Sequence, residues 1–326
     1  MRISSFILTG ALALAQWSAQ AQTPSTTTTG SYTYDLNGQK VSGDQLVQTK
    51  SDGAVTTTEQ SDSINGRTVP RVKTEERVVS QEGGHTVIER LIRRYSLTGD
   101  PGPPEKQVID EDKRPDGSST TRTTVYRGDL NGQLQLAERT TIDTRKQGST
   151  VNSDTVVERP TVNGSLDPVE RVQSVEQARG TGTQKTSDIY RRDMNGQFYE
   201  AVRRVTDQQT NNNVVTENDA EYELGPEGNM RLHSQMVKKS TKNADGSEQE
   251  QVDVFAPAVW GTARDPNGAL ALQEQQTIER RPAGKDTVVE TLTVRRPSVS
   301  DPTRLGDPRQ LSETVCKGKC NAPAQP

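Results

Sequence analysis

Residues 120–144, with the sequence TTRTTVYRGDLNGQLQLAERTTIDT, contain the pattern that decides the fold. Two segments rich in Thr, Val, Leu and Ile flank the turn sequence Asp-Leu-Asn-Gly at 129–132. β-Branched and aromatic residues favour strands. Asn-Gly tolerates the positive φ angles that two-residue hairpin turns demand. The stretch therefore predicts a β-hairpin.

The same kind of turn recurs along the chain, about every 32 residues from Asn65 onward, and a second set falls about midway between its members. The first set is Asn37-Gly38, Asn65-Gly66, Thr98-Gly99, Asn131-Gly132, Asn163-Gly164, Asn195-Gly196 and Gly228-Asn229. The second set is Asp52-Gly53, Gly83-Gly84, Asp116-Gly117, Gln147-Gly148, Gly180 to Gly182, Asn211 to Asn213 and Asp245-Gly246. The segments between turns are too short for a strand plus a helix, so each is predicted to be one strand.

The period predicts an all-β fold, an extended antiparallel meander of β-hairpin repeats of about 32 residues that spans residues 31–296. We expect an open, curved sheet. A β-propeller and a barrel are the alternatives, because the repeat alone does not determine how the ends of the meander meet.

Two local patterns predict details of the strands. The apolar residues of Val169-Glu-Arg-Val172 and Val202-Arg-Arg-Val205 are three apart instead of two, which indicates a β-bulge. Glu-Arg dipeptides recur along the strands and predict cross-strand ion pairs. They are Glu89-Arg90, Glu138-Arg139, Glu158-Arg159, Glu170-Arg171 and Glu279-Arg280.

The composition excludes a large close-packed core. Only 29% of the residues are hydrophobic, whereas an ordinary globular domain has roughly 45–50% when Gly is counted. A disordered composition combines low hydrophobicity with a high net charge. The 40 basic and 44 acidic residues of this chain give a net charge of only −4, so the composition does not indicate disorder. We expect a sheet with both faces partly wet.

The N-terminus is typical of a secretory signal peptide. Arg2 gives a positive start, the run from Phe6 to Ala15 is mostly apolar, and Ala19 and Ala21 are small residues of the kind found before a cleavage site. We predict a signal peptide at 1–21 that is cleaved between Ala21 and Gln22, and a periplasmic or extracellular location. Residues 22–30 are predicted to be a Thr-rich flexible lead-in, and 297–326 an irregular, Pro-rich capping tail.

The mature chain is predicted to have no membrane-spanning segment. Its apolar runs are too short for a spanning helix, and its aromatic residues are few for the two girdles of an outer-membrane barrel. Acidic residues match the basic ones locally, so no nucleic-acid partner is expected. The expected partner is an unidentified protein or surface polymer.

Cys316 and Cys320 are the only cysteines, and in an oxidising compartment they predict a local disulfide. A metal site wants four ligands, and only His85 and His233 could supplement the thiols. We therefore predict neither a metal nor a cofactor.

No catalytic motif is present, and two histidines leave little material for a catalytic base. The Asp-x-Asn-Gly sequences that begin at Asp35, Asp129, Asp193 and Asp265 are interpreted as hairpin turns, because they lack the later ligands of a calcium loop. We predict a non-enzymatic structural or interaction module of the bacterial cell envelope or exterior. The alternative is a ligand-binding or hydrolytic propeller or barrel with carboxylates converging near Trp260, a residue otherwise assigned to a small core.

One short segment resembles a known family. Residues 32–39, with the sequence YTYDLNGQ, are similar to one unit of the YD (Rhs-type) repeats of bacterial surface and toxin-shell proteins. The resemblance implies extended sheets of β-hairpins. It covers fewer than ten residues, and we attribute it to shared hairpin chemistry.

Overall fold

The computed structural model describes residues 25–35, 38–41, 45–52, 55–64, 67–129, 131–257, 270–298, 301 and 304–318. These residues form 18 strands in one antiparallel sheet. In chain order the strands are β1 (Ser25–Thr33), β2 (Gln45–Asp52), β3 (Val55–Ile64), β4 (Arg67–Glu82), β5 (His85–Tyr95), β6 (Pro101–Lys113), β7 (Ser119–Gly128), β8 (Leu134–Gln147), β9 (Thr150–Pro160), β10 (Leu166–Arg179), β11 (Gly182–Arg192), β12 (Phe198–Asn211), β13 (Val214–Leu224), β14 (Met230–Lys242), β15 (Glu248–Pro257), β16 (Leu270–Pro282), β17 (Thr287–Arg295) and β18 (Arg309–Lys317).

The meander closes on itself. Each strand pairs with its neighbours in sequence, and β1 pairs with both β2 and β18. At the closure, Gly30 lies opposite Val315, and the hydroxyls of Ser31 and Thr314 are 3.1 Å apart. The antiparallel meander is therefore confirmed, but the open sheet is wrong and the chain forms a β-barrel. Closure leaves no edge strand among the 18 strands that the structure describes.

The first and last strands of the barrel include residues that were expected from the sequence to be flexible or irregular. Residues 25–30 of the expected flexible lead-in belong to β1, and residues 309–317 of the expected irregular tail form β18. Both segments are ordered because each supplies hydrogen bonds across the closure. The proposed signal peptide and cleavage site, Ala21 and Gln22, lie outside the described residues.

The Asn-Gly turns are wider than predicted. In the turn between β11 and β12, Asp193 N–H donates to the Gln197 carbonyl over 2.9 Å, and Gly196 N–H donates to the Asp193 carbonyl over 3.1 Å. Only the glycine of this turn has a positive φ, 81°, so Asn195 does not need the left-handed conformation. The Asp193 carboxylate accepts two further backbone N–H groups, from Asn195 and Gln197, each over 2.8 Å.

Successive residues of each strand face opposite sides of the wall. On β10, Arg171, Gln173 and Val175 are exposed while the residues between them are not. The strand residues with the lowest exposures, such as Val202 (6%), Val252 (7%) and Glu105 (8%), all lie on the less exposed face. In a closed cylinder the concave side crowds side chains, so this less exposed face is the inner wall and the other is the outer wall.

A β-bulge recurs near the start of the even-numbered strands. In β8, β10, β12, β14 and β16 the fourth residue is an extra one, at which the register with the preceding strand shifts. These residues are Ala137, Val169, Ala201, His233 and Gln273. The bulge predicted around Val169 is confirmed. Bulges at barrel rims increase local twist and bend the strand.

The predicted ion pairs are also present, on both walls. Neighbouring residues face opposite sides, so a Glu-Arg dipeptide supplies one charge to each wall. Glu89 pairs with Arg77 on the outer wall over 2.7 Å, and Arg90 pairs with Glu76 on the inner wall over 2.7 Å. In the described part of the chain there is no helix with the length and apolarity needed to cross a membrane.

Candidate functional site

The two ends of the barrel carry different side chains. We call the end at which each odd-numbered strand leads into the next strand the apolar end. Three of its turns present an apolar residue at the tip: Leu97, Val162 and Met194 are 76%, 103% and 105% exposed. We call these three residues the tips. Each stands two positions before the glycine of its turn, so the same turn geometry projects all three outward.

Behind the tips, the outer wall carries a belt of apolar side chains from β5 to β16. Tyr222 lies opposite Leu232 and Leu224 opposite Met230 across β13 and β14. The outer belt consists of Tyr95, Tyr126, Leu134, Leu136, Pro160, Leu166, Pro168, Tyr190, Phe198, Tyr222, Leu224, Met230, Leu232, Phe255, Pro257, Leu270 and Leu272. Most tyrosines and phenylalanines of the barrel lie in this band, which is narrow along the axis.

The bulges mark the boundary of the belt. On β8, the outer residues before the bulge are Leu134 and Leu136, and the first outer residue after it is Arg139. On β12, Arg203 follows the bulge and pairs with Asp188 over 2.6 Å. On β10, Arg171 follows it and pairs with Asp154 over 2.6 Å. Beyond the belt the outer wall is therefore charged, and two of the basic side chains next to the belt, Arg171 and Arg203, already have acidic partners.

The opposite end, which we call the polar end, has turns that carry polar side chains. In the turn from β6 to β7, the Ser118 hydroxyl donates to the Asp116 carboxylate over 2.6 Å, which lowers the pKa of Asp116. Ser247 and Asp245 repeat the arrangement between β14 and β15, again with a lowered pKa of the aspartate. Among the described turns, those with an exposed apolar residue at the tip thus lie at one end.

The inner wall is lined by ion pairs. Arg204 pairs with Glu221 over 2.6 Å, and Glu105 lies 3.4 Å from both Arg94 and Arg127. Burial raises the pKa of Glu105, but the hydrogen bond from Gln107 and the charge of Arg94 outweigh it, so the pKa lies below its ordinary value. Since these carboxylates already have basic partners, they are poor candidates for acid–base chemistry.

Glu217 is the exception on the inner wall. Burial raises its pKa, and the negative charges of Asp219 and Glu250 add to the effect, while Lys238 opposes it. It faces Lys238 directly across β13 and β14.

A shallow recess of about 220 Å³ lies near these residues, towards the polar end of the inner wall, between Val215, Ser240, Ile278 and Arg280. The Arg280 guanidinium is held by Glu248 over 3.0 Å and by Glu290 over 2.8 Å. Its donors are engaged within the wall and are not aimed at a ligand.

One cluster on the outer wall could contact a cation. His85, Asp110 and Asp112 place one ligand atom each within 4.8 Å of one another. His85 Nε2 lies 2.9 Å from the Asp110 carboxylate, and both side chains are about two-fifths exposed. These residues are far apart in sequence, and the register between β5 and β6 brings them together. A hydrogen bond between the exposed side chains of His85 and Asp110 explains their proximity without a metal.

The site residues predicted from sequence are placed only in part. Cys316 lies on β18 opposite Val288 and Thr29, whereas Cys320 lies outside the described residues, so the disulfide stays a prediction. Trp260 also lies outside them. Neither the tips nor the outer belt was identified from the sequence, although Leu134 and Leu136, Met230 and Leu232, and Leu270 and Leu272 show the alternate spacing that would have revealed it.

Comparison with known proteins identifies no relative by sequence. No protein-family model matches the chain, and no curated protein matches it.

Solved structures similar to this chain include OmpT, an outer membrane protein of Vibrio cholerae. A loop L8 deletion mutant of OmpT is 9% identical with a TM-score of 0.38, covering 92% of this chain and 100% of its own. The in-vitro folded trimer form of OmpT is 7% identical with a TM-score of 0.33, covering 91% and 98%. A mutant of transferrin binding protein B from Haemophilus parasuis Hp5 is 8% identical with a TM-score of 0.17, covering 92% and 77%. At these TM-scores the similarity carries no argument about function.

Proposed function

We propose that this chain is an exported, non-enzymatic β-barrel of the bacterial cell envelope, a structural or interaction module that meets its partner through the apolar end. The observation that carries the proposal is the separation of character along the barrel axis. Apolar side chains collect on the tips and the outer belt, whereas the walls elsewhere hold paired charges. Exposed apolar groups concentrated in one place mark an interaction surface.

The absence of enzymatic activity is part of the proposal. The two histidines already have carboxylate partners, His85 with Asp110 over 2.9 Å and His233 with Glu223 over 3.4 Å. Both are about half-exposed on the barrel surface. A catalytic base normally sits in a cleft with a nucleophile or substrate site within hydrogen-bond reach.

The proposal also holds that the barrel does not span a membrane. Leu134 and Leu136 are two residues apart, about 7 Å along a strand, whereas the apolar band of a spanning barrel is about 25 Å tall. Arg139 follows directly on the outer wall. Placing such charges against hydrocarbon costs about 2–4 kcal/mol each at the midplane.

Cell fractionation tests the proposal. The full chain carrying an epitope tag at the polar-end turn of Gly148 is produced in a Gram-negative host. We expect a mature N-terminus at Gln22 and recovery of the chain in the periplasmic or membrane fraction. Protease added to one side of the membrane should reach the whole chain, because no part of it extends to the other side. An unprocessed cytosolic chain would refute export, and a turnover activity that depends on His85 or His233 would refute the non-enzymatic role.

A further inference from the structure

We infer that the apolar end docks onto a lipid surface: the barrel stands on one leaflet, with the tips in the boundary between headgroups and acyl chains and the outer belt at headgroup level. The inference rests on the proposed envelope role and names its partner. The partner is a zwitterionic phospholipid surface, and the contact is interfacial and does not cross the bilayer.

The distribution of the tips favours a planar partner. Leu97, Val162 and Met194 belong to three different hairpins, β5–β6, β9–β10 and β11–β12, spread along the rim. A folded protein would need a contiguous surface, and stable protein interfaces bury roughly 1,200–2,000 Å² in total. Tips on separate turns along one part of the rim do not form such a surface, whereas a lipid leaflet can receive each tip independently.

The composition of the belt matches the interface of a bilayer. Tyrosine, phenylalanine and leucine are the residues that interfacial contacts use, since aromatic rings sit at headgroup level while aliphatic chains reach the acyl boundary. The tyrosines at 126, 190 and 222 lie on β7, β11 and β13 at this one level.

The charges at the apolar end complement a zwitterionic surface. Asp100, Asp129 and Asp193 flank turns of the apolar end, between the tips and the belt, where the ammonium groups of phospholipid headgroups would lie.

Three of the basic residues above the belt already have acidic partners. Arg171 and Arg203 are neutralised by Asp154 and Asp188, each over 2.6 Å, and Lys106 is neutralised by Glu89 over 2.7 Å. Binding should therefore come mainly from burial of apolar groups, which salt screens little.

Vesicle flotation of the mature chain tests the inference. The probes are phosphatidylcholine vesicles and vesicles of phosphatidylcholine with phosphatidylglycerol. The test variant is Leu97→Asn, Val162→Asn and Met194→Asn combined. The matched control is Val55→Asn with Val175→Asn, since these side chains are 43% and 39% exposed on the outer wall away from the apolar end.

We expect the wild type and the control to float with phosphatidylcholine at low and high salt, and the test variant to partition at least about tenfold less. Adding phosphatidylglycerol should weaken binding. The inference fails if the test variant floats like the wild type, or if binding requires phosphatidylglycerol and is lost in salt. It also fails if the wild type does not float but forms a dimer that the test variant lacks, since the partner is then a second copy.

Depth-dependent quenching locates the contact. With Trp260→Phe removing the mature chain's own tryptophan, Met194→Trp reports from the apolar end and Lys285→Trp from the polar end. Brominated lipid should quench the first and leave the second bright. Equal quenching of both would overturn the orientation.

An exported chain that reaches the envelope but fails in both vesicle experiments would refute this inference alone. A processed chain is not needed for flotation, so failure of export would instead refute the proposed function.

Discussion

Tyr222 lies directly opposite Leu232 on the outer face of the β13–β14 hairpin, and the next residue, His233, is the extra residue at which the register shifts. The bulge decides which side chains of the rim point outward. In a strand of period two, a shift by one residue moves every side chain to the other face. The repeated bulge therefore lets apolar residues occupy the outer face at the rim while the wall beyond keeps its own alternation.

Removal of a bulge residue should disrupt the rim. Deleting Ala201 from β12 moves Phe198 to the inner wall and Tyr199 to the outer wall, or breaks the pairing of the rim with β11. We expect the deletion to lower the free energy of unfolding by about 1–3 kcal/mol, measured by denaturant titration followed by circular dichroism. Ala201→Ser is the control and should stay close to the wild type; equal stability of the deletion variant would show that the bulge has no structural role.

Substitution of Glu105 should destabilise the barrel at neutral pH. Glu105→Gln removes the negative charge shared by Arg94 and Arg127 from a residue that is only 8% exposed. The expected loss is about 1–3 kcal/mol in the free energy of unfolding. Glu138→Gln, which removes one ion pair with the exposed Arg159, is the matched control and should cost less.

The effect of Glu105→Gln should depend on pH. Because the folded pKa of Glu105 lies below its ordinary value of 4.5, its stabilisation is fully present above that value and is lost as the pH falls through the folded pKa. The difference between wild type and variant should therefore shrink in acid. Unfolding measured across this range checks the prediction, and a difference that grows in acid contradicts it.

Glu217 should show the opposite sign. Burial raises its folded pKa above the ordinary 4.5, so the ionised form costs stability as the pH rises from that value through the folded pKa. Glu217→Gln should raise the melting temperature at neutral pH and have little effect in acid. A lower melting temperature at neutral pH would show that the attraction between Glu217 and the charge of Lys238 outweighs the burial.

Two glycines of the polar end should differ in tolerance. A Cβ at Gly182 would meet the Gln208 carbonyl on β12, so Gly182→Ala must move the β11–β12 pair and should cost about 1–3 kcal/mol. Gly148 has a φ of 61° and open space around it, so Gly148→Asn should cost little, since Asn tolerates the left-handed conformation. Thermal unfolding of both variants checks the difference; similar melting temperatures would contradict it.

The local part of the fold was predictable from sequence. The turn period predicts the hairpins because each turn depends only on a few residues that are close in sequence. The bulge at Val169 is predicted by a break in the alternation of apolar residues in Val169-Glu-Arg-Val172. The Glu-Arg dipeptides predicted ion pairs because adjacent strand residues face opposite walls, so each dipeptide places one charge on each wall next to residues of the neighbouring strands. The turn type was missed, since Asn131 and Asn195 precede the one residue, a glycine, that takes the positive φ.

Closure was not predictable in the same way. It depends on pairing between β1 and β18, at opposite ends of the chain, and on the twist that accumulates over all the strands between them. The outer belt became visible only with the register, because its residues, such as Phe255 and Leu272, come from neighbouring strands and share a level only in the folded sheet.

Neutron reflectometry of the mature chain on a supported phosphatidylcholine bilayer can test lipid docking by the apolar end, because it resolves protein density along the bilayer normal. We expect a protein layer on one side of the bilayer, overlapping the headgroups with its apolar end and leaving the acyl core free of protein. Protein density across the whole acyl core, or the same layer with the Leu97→Asn, Val162→Asn and Met194→Asn variant, would contradict it.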